Sequence, residues 1–171
     1  MESNFDQIRN KYLSSKSKRE QFRYFHEKMI AFAPYDIKGE KILPELEIGC
    51  GVSPMKDNFP NIIASDIKES KLTDMSIDAV NLPFENKSLK TIYATNCFHH
   101  ISDKRKFIEE SHRVLNDKGR LIMLEPSFSL LAMLIYPFFF KDESYNIFSS
   151  ISKLSTSHSM KGANQASSYI C

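Results

Sequence analysis

ELEIGCGVSPMKDNFPNIIASD, residues 45–66, is the stretch that decides the fold. Two short apolar runs shape it. The first, Ile42 to Ile48, ends in Glu47-Ile48-Gly49-Cys50-Gly51, and the second, Ile62-Ile63-Ala64, ends in Ser65-Asp66. The order is strand, glycine turn, short helix, strand, acid. Gly49 and Gly51 lack a Cβ, so the chain can turn tightly there and a ligand can approach the backbone closely. The N–H groups that follow point toward whatever lies over the turn. Asp66 stands at the carboxyl end of the second strand, where a carboxylate can accept hydrogen bonds from two ribose hydroxyls. A dinucleotide fingerprint would place a third glycine where Pro54 stands, so the turn alone is a weak signal.

Working outward, the 171 residues make one domain by length, able to bury a core without staples. A formal net charge of +2 gives no broad electrostatic footprint for nucleic acid, and none is expected as a partner. The three cysteines, Cys50, Cys97 and Cys171, have no metal spacing and read as reduced thiols of a cytoplasmic protein. The polar, charged first residues show no signal peptide.

Toward the amino end, Phe5, Ile8 and Tyr12 recur at helical spacing, as do Phe22, Phe25, Met29 and Ala33. Two helices are therefore expected between residues 4 and 33, broken near Ser14 to Arg19. The basic residues of that break read as a solvated helix start, and His26 as a surface or packed residue. Pro34 ends the second helix, and Lys38-Gly39-Glu40 turns into the first strand. That strand spans Lys41 to Ile48, with regular pairing beginning after Pro44. About two helical turns fit between Gly51 and Pro60, with Pro54 in the first.

Toward the carboxyl end, Ile62 to Asp66 is the second strand and Met75 to Ile77 a short third one. Lys90 to Ala94 is the fourth, followed by a loop from Asn96 to Ser102. Asp103 caps a helix running to Leu115 whose buried face is Phe107, Ile108, Ser111, Val114 and Leu115. Asn116 to Gly119 is a turn and Arg120 to Glu125 the fifth strand.

Further segments sharpen the reading: Asp78-Ala79 before Leu82-Pro83-Phe84-Glu85, then LKTIYATNCFHH from Leu89 to His100, then Arg113-Val114-Leu115, Gly119-Arg120-Leu121 and Glu125-Pro126. In this order they resemble the class I S-adenosylmethionine-dependent methyltransferases, in particular the small-molecule (type 11) branch, over about residues 40 to 126. The resemblance implies an α/β fold, a Rossmann-like three-layer α/β/α sandwich with a mostly parallel sheet of strand order 3-2-1-4-5. Residues 1–37 would be N-terminal helices, 38–126 the cofactor-binding core, and 127–171 an apolar helix and polar tail of the same domain. Strands six and seven would be absent or incomplete, so the chain is expected to be truncated at its carboxyl end and to self-associate through the strand-five edge.

The cofactor implied is S-adenosyl-L-methionine. By resemblance, Glu47 helps position its amino group, and the Gly49-Cys50-Gly51 backbone packs against it. Asp66, with Ile67 beside it, binds the ribose side. Asp78 accepts from the adenine amino group and the Ala79 N–H donates to a ring nitrogen. Asn96 lies under the methionine moiety, and Glu125 takes no firm role. His99 or His100 is a candidate general base, since an imidazole titrates near neutrality; the alternative is that one ring packs and orients the loop. No metal cluster is evident. The implied acceptor is a small molecule or a lipid- or polysaccharide-linked precursor. The apolar run Ser129 to Phe140 reads as a helix covering the sheet, or as an interfacial segment making peripheral membrane contact. Two other readings stand beside this one: a non-catalytic cofactor-binding remnant or interaction module, and a nicotinamide-dependent oxidoreductase, against which Asp78-Ala79 with Leu82-Pro83-Phe84 argues.

Overall fold

The computed structural model of the protein describes residues 3–36 and 41–125. Two helices come first, α1 at Asn4–Ser14 and α2 at Lys16–Ile30. The break between them is the single residue Ser15, whose hydroxyl accepts from the Lys18 N–H and so caps α2. Tyr12, His26 and Met29 are the buried residues of the pair.

Five strands follow in one sheet of order β3-β2-β1-β4-β5. They are β1 Glu45–Ile48, β2 Ile62–Asp66, β3 Met75–Ser76, β4 Leu89–Thr95 and β5 Leu115–Leu124, with one helix, α3 at Lys104–Val114, between the last two. Every pairing is parallel. The central strands read as nearly continuous apolar runs because both of their faces are covered. On one face Leu46, Ile48, Leu89 and Ile92 pack with Phe107 and Val114 of α3. On the other, Ile62 and Tyr93 pack with Met29 of α2 and with Met55. Helix, sheet and helix thus form the three expected layers, in the expected strand order.

Three local expectations need correction. The segment after Gly51 holds only a 3-10 turn, Met55–Asp57, and Pro54 lies just before it in extended backbone. Pro60 and the start of β2 leave no room for a second turn. Ile108 is 41% exposed, because the buried stripe of α3 is Lys104, Phe107, Ser111 and Val114. At 3.6 residues per turn, Ile108 is rotated about 100° away from Phe107 and faces outward. Finally, β5 begins at Leu115, directly after α3: Leu115 pairs with Leu89, then 116–119 interrupt the ladder, and Arg120 resumes it opposite Thr91.

The 38–40 turn, the apolar run 129–140, the tail and any sixth or seventh strand lie outside the described residues. Among the described residues no helix is long and apolar enough to cross a membrane.

Candidate functional site

The carboxyl ends of β1, β2 and β4 converge, which is where an open parallel sheet binds ligands. Gly49 and Gly51 both adopt positive φ, +71° and +50°. The structure gives them different tasks. A Cβ on Gly49 would sit 2.3 Å from Cys97 Sγ, so its missing side chain makes room for the loop after β4 rather than for a ligand. Among the described residues, a Cβ on Gly51 would meet nothing within 4 Å, so they leave the turn open there.

Asp66 supports that turn from β2. Its Oδ2 accepts from the Gly51 N–H at 3.1 Å and its Oδ1 from the Lys68 N–H at 3.2 Å. A carboxylate offers about four acceptor positions, so two bonds leave capacity for further donors. Ile67, beside it, is exposed. Glu47 is only 2% exposed, and its Oε2 accepts from the Met55 N–H at 2.7 Å. Burial pushes its carboxyl up to about 8, and the charges of Asp57 and Asp66 push the same way. Burial also pushes the Cys50 thiol up to about 12, so it is not a nucleophile at neutral pH.

Asp78 is exposed and folds back on its own turn, with Oδ1 accepting from the Val80 N–H at 3.1 Å, while Ala79 is buried in the core. The segment that follows is held by α3. Arg113 donates from Nη1 to the Phe84 carbonyl and to Asn86 Oδ1, and from Nη2 to the Leu82 carbonyl. The same guanidinium grips Glu110 with two more bonds at 2.8 Å, and Glu110 in turn accepts from the Leu82 N–H. Arg113 and Glu110 thus tie the Leu82-Pro83-Phe84 element to α3. Arg113→Ala is expected to lower stability by about 1–3 kcal/mol, since carbonyls and a carboxylate lose their donor. Arg113→Lys should restore only part, because lysine has no planar fork. Thermal melts of the three proteins check this; equal midpoints would reduce the clamp to a surface contact.

The loop after β4 carries Asn96, exposed and at φ +50°, then Cys97 and a 3-10 turn, Phe98–His100. His99 is buried and His100 exposed, with ring centroids 3.9 Å apart. Glu125, given no role by the sequence, reaches this loop from the end of β5. Its Oε1 accepts from the Cys97 and Phe98 N–H groups, and its Oε2 lies 2.5 Å from His99 Nδ1. From the other side, α1 touches two site loops: Arg9 donates to the Val52 carbonyl and pairs with Asp57, and Asp6 pairs with Lys71. The expected residues thus lie at or just past the carboxyl ends of the strands, with Ile67, Asp78, Asn96 and His100 exposed. A hollow lined by Pro34, Tyr35, Lys41 and Lys90 lies instead near the amino end of β4.

Comparison with known proteins agrees with this geometry. A methyltransferase-domain family matches residues 46–123. The demethylmenaquinone methyltransferase of Thermotoga maritima is 38% identical over 82 residues, covering 44% of this chain and 36% of that protein. The chain therefore spans about a third of that relative's length. The solved structure of the PH0226 protein from Pyrococcus horikoshii superposes with a TM-score of 0.53 at 19% identity, over 75% of this chain and 64% of that one, which bears on the fold alone. Residues 46–123 thus resemble the methyltransferase-domain family, and the strand order is the one that this resemblance implies.

Proposed function

We propose that this domain binds S-adenosyl-L-methionine and transfers its methyl group to a small-molecule or lipid- or polysaccharide-linked acceptor. The observation that carries the reading is the pairing of two carboxylates with an open glycine turn: Glu47 buried at the end of β1, Asp66 braced at the end of β2, and a Gly51 that no described residue covers. The ligand brings an ammonium, a sulfonium and two ribose hydroxyls. A buried carboxylate with one hydrogen bond suits the ammonium, and the spare acceptor positions of Asp66 suit the hydroxyls. In this reading Asp78 and the Ala79 N–H would meet the adenine edge, with Ile67 next to Asp66 on the ribose side. Cys50 contributes backbone at the turn, and Asn96 brings its loop under the methionine end. When bound, the cofactor supplies an electrophilic methyl carbon on a good leaving group. The protein's share is orientation and exclusion of water. His99 and His100 are the candidates to take a proton from the acceptor.

Asp66→Ala is expected to weaken binding of S-adenosylhomocysteine at least about tenfold, because charge-assisted hydrogen bonds worth more than about 1.4 kcal/mol are lost. Calorimetric titration of wild type and variant checks this, with a melt to show that the variant is folded. NAD serves as the control ligand. Unchanged affinity in a folded variant would remove Asp66 from the site, and binding of NAD alone would overturn the methyltransferase reading.

A further inference from the structure

Four consecutive residues of the loop after β4 are received by two residues at the end of β5. The Asn96 N–H donates to the Leu124 carbonyl at 2.8 Å. The Cys97 and Phe98 N–H groups both donate to Glu125 Oε1, at 3.0 and 2.8 Å. His99 Nδ1 meets Glu125 Oε2 at 2.5 Å, with side-chain exposures of 3% and 12%. One carboxylate thus fixes the loop whose Cys97 also packs on Gly49. An ionised carboxylate accepts only, so a neutral His99 must carry its proton on Nδ1. The nitrogen left with a lone pair is Nε2.

We infer that Glu125 is the positioning residue of this site, holding the loop after β4 and orienting His99 so that its Nε2, rather than His100, is the proton acceptor in methyl transfer. The inference rests on the methyltransferase reading above. In the step, the O–H or N–H of the acceptor gives its proton to His99 Nε2. The freed lone pair forms the new bond to the methyl carbon, the carbon–sulfur bond breaks, and its electron pair stays on sulfur. Glu125 stabilises the imidazolium that results without taking the proton.

The test is long-range proton–nitrogen NMR of the full chain carrying isotope-labelled histidine, at neutral pH, with His99 assigned by its absence in His99→Gln. In wild type, the Nδ1–H tautomer should dominate. In Glu125→Gln, the side-chain oxygen keeps the two backbone donors and the NH2 then faces Nδ1, so the population should invert to Nε2–H. A role confined to holding the loop would not move this signal. S-adenosylhomocysteine affinity should change less than about threefold, since the loop contacts survive. An Nε2–H tautomer or an imidazolium in wild type would overturn the inference, as would an unchanged tautomer in folded Glu125→Gln. If Glu125→Gln does not fold, the wild-type spectrum decides. Wild type that shows the Nδ1–H tautomer but binds no S-adenosylhomocysteine would overturn the methyltransferase reading, and with it His99 as a base, while leaving the loop clasp standing.

Discussion

Gly49→Ala is expected to lower stability by more than about 2 kcal/mol. Two effects add. A left-handed backbone costs an L-residue about 1–2 kcal/mol, and Gly49 sits at φ +71°. Forcing atoms into a packed place adds about 1–3 kcal/mol, and the new methyl would lie 2.3 Å from Cys97 Sγ and 2.9 Å from its Cβ. Cys97 cannot easily withdraw, because its N–H is held by Glu125. For a chain of this size the melting point should fall by roughly 4–8 °C or more. The Cys97→Ala change in the same protein should recover part of the loss, since it removes the nearer of the two contacts. Gly51→Ala is the matching control: it carries the backbone penalty at φ +50° but meets none of the described residues within 4 Å. Denaturant unfolding of the set checks the ordering. If Gly49→Ala and Gly51→Ala lose the same stability, the contact with Cys97 does not constrain the turn.

That pair of glycines shows what a sequence can and cannot tell. Both were legible as turn residues, because positive φ is a local demand and glycine meets it best. Which one is packed against the rest of the chain was not, because the answer depends on Cys97, far along the chain. The same division runs through the fold. Strand identity followed from short apolar runs, a pattern that local burial imposes, whereas strand order followed from the family resemblance. Sheet edges and helix faces depended on partners. Ile108 looked buried because it is apolar, yet a helix can aim only one stripe inward, and Phe107 with Ser111 fixes that stripe. The start of β5 at Leu115 was hidden because the residues after it read as turn formers and indeed interrupt the ladder.

The site divides likewise. Glu47, Asp66 and the turn were readable from position at strand ends. Glu125 has the same position at a strand end but takes no firm role from the sequence, since its partners lie 26 to 28 residues earlier in the chain. The hint was there: an acid ending an apolar strand opposite two histidines is costly to bury unless something donates to it. Arg113 was visible only as a motif letter; its bonds to Leu82 and Phe84 supply the reason.

Glu47→Gln is expected to stabilise the ligand-free protein above neutral pH while weakening its hold on the cofactor. Burial holds the Glu47 carboxyl at about 8 in the folded protein, against 4.5 ordinarily. Between those values the folded state keeps a proton that the unfolded state has released. Stability supported by that proton is full below about 4.5 and is lost as pH rises through 8. Glutamine is neutral throughout, and its Oε1 can still accept from the Met55 N–H, so the variant escapes the loss. The gap between the two melting curves should open above pH 4.5 and be widest beyond pH 8. A cationic ligand reverses the preference, because an ammonium beside Glu47 favours its charged form. Binding to wild type near neutrality should therefore release a proton, and affinity should rise with pH up to about 8. Titration calorimetry in two buffers of different ionisation heat reads that proton directly. Glu47→Gln should bind more weakly, release none and show a flat pH profile. If wild type releases no proton at pH 7, or if both proteins melt alike from pH 5 to 9, Glu47 is not the buried acid that meets the ligand's charge.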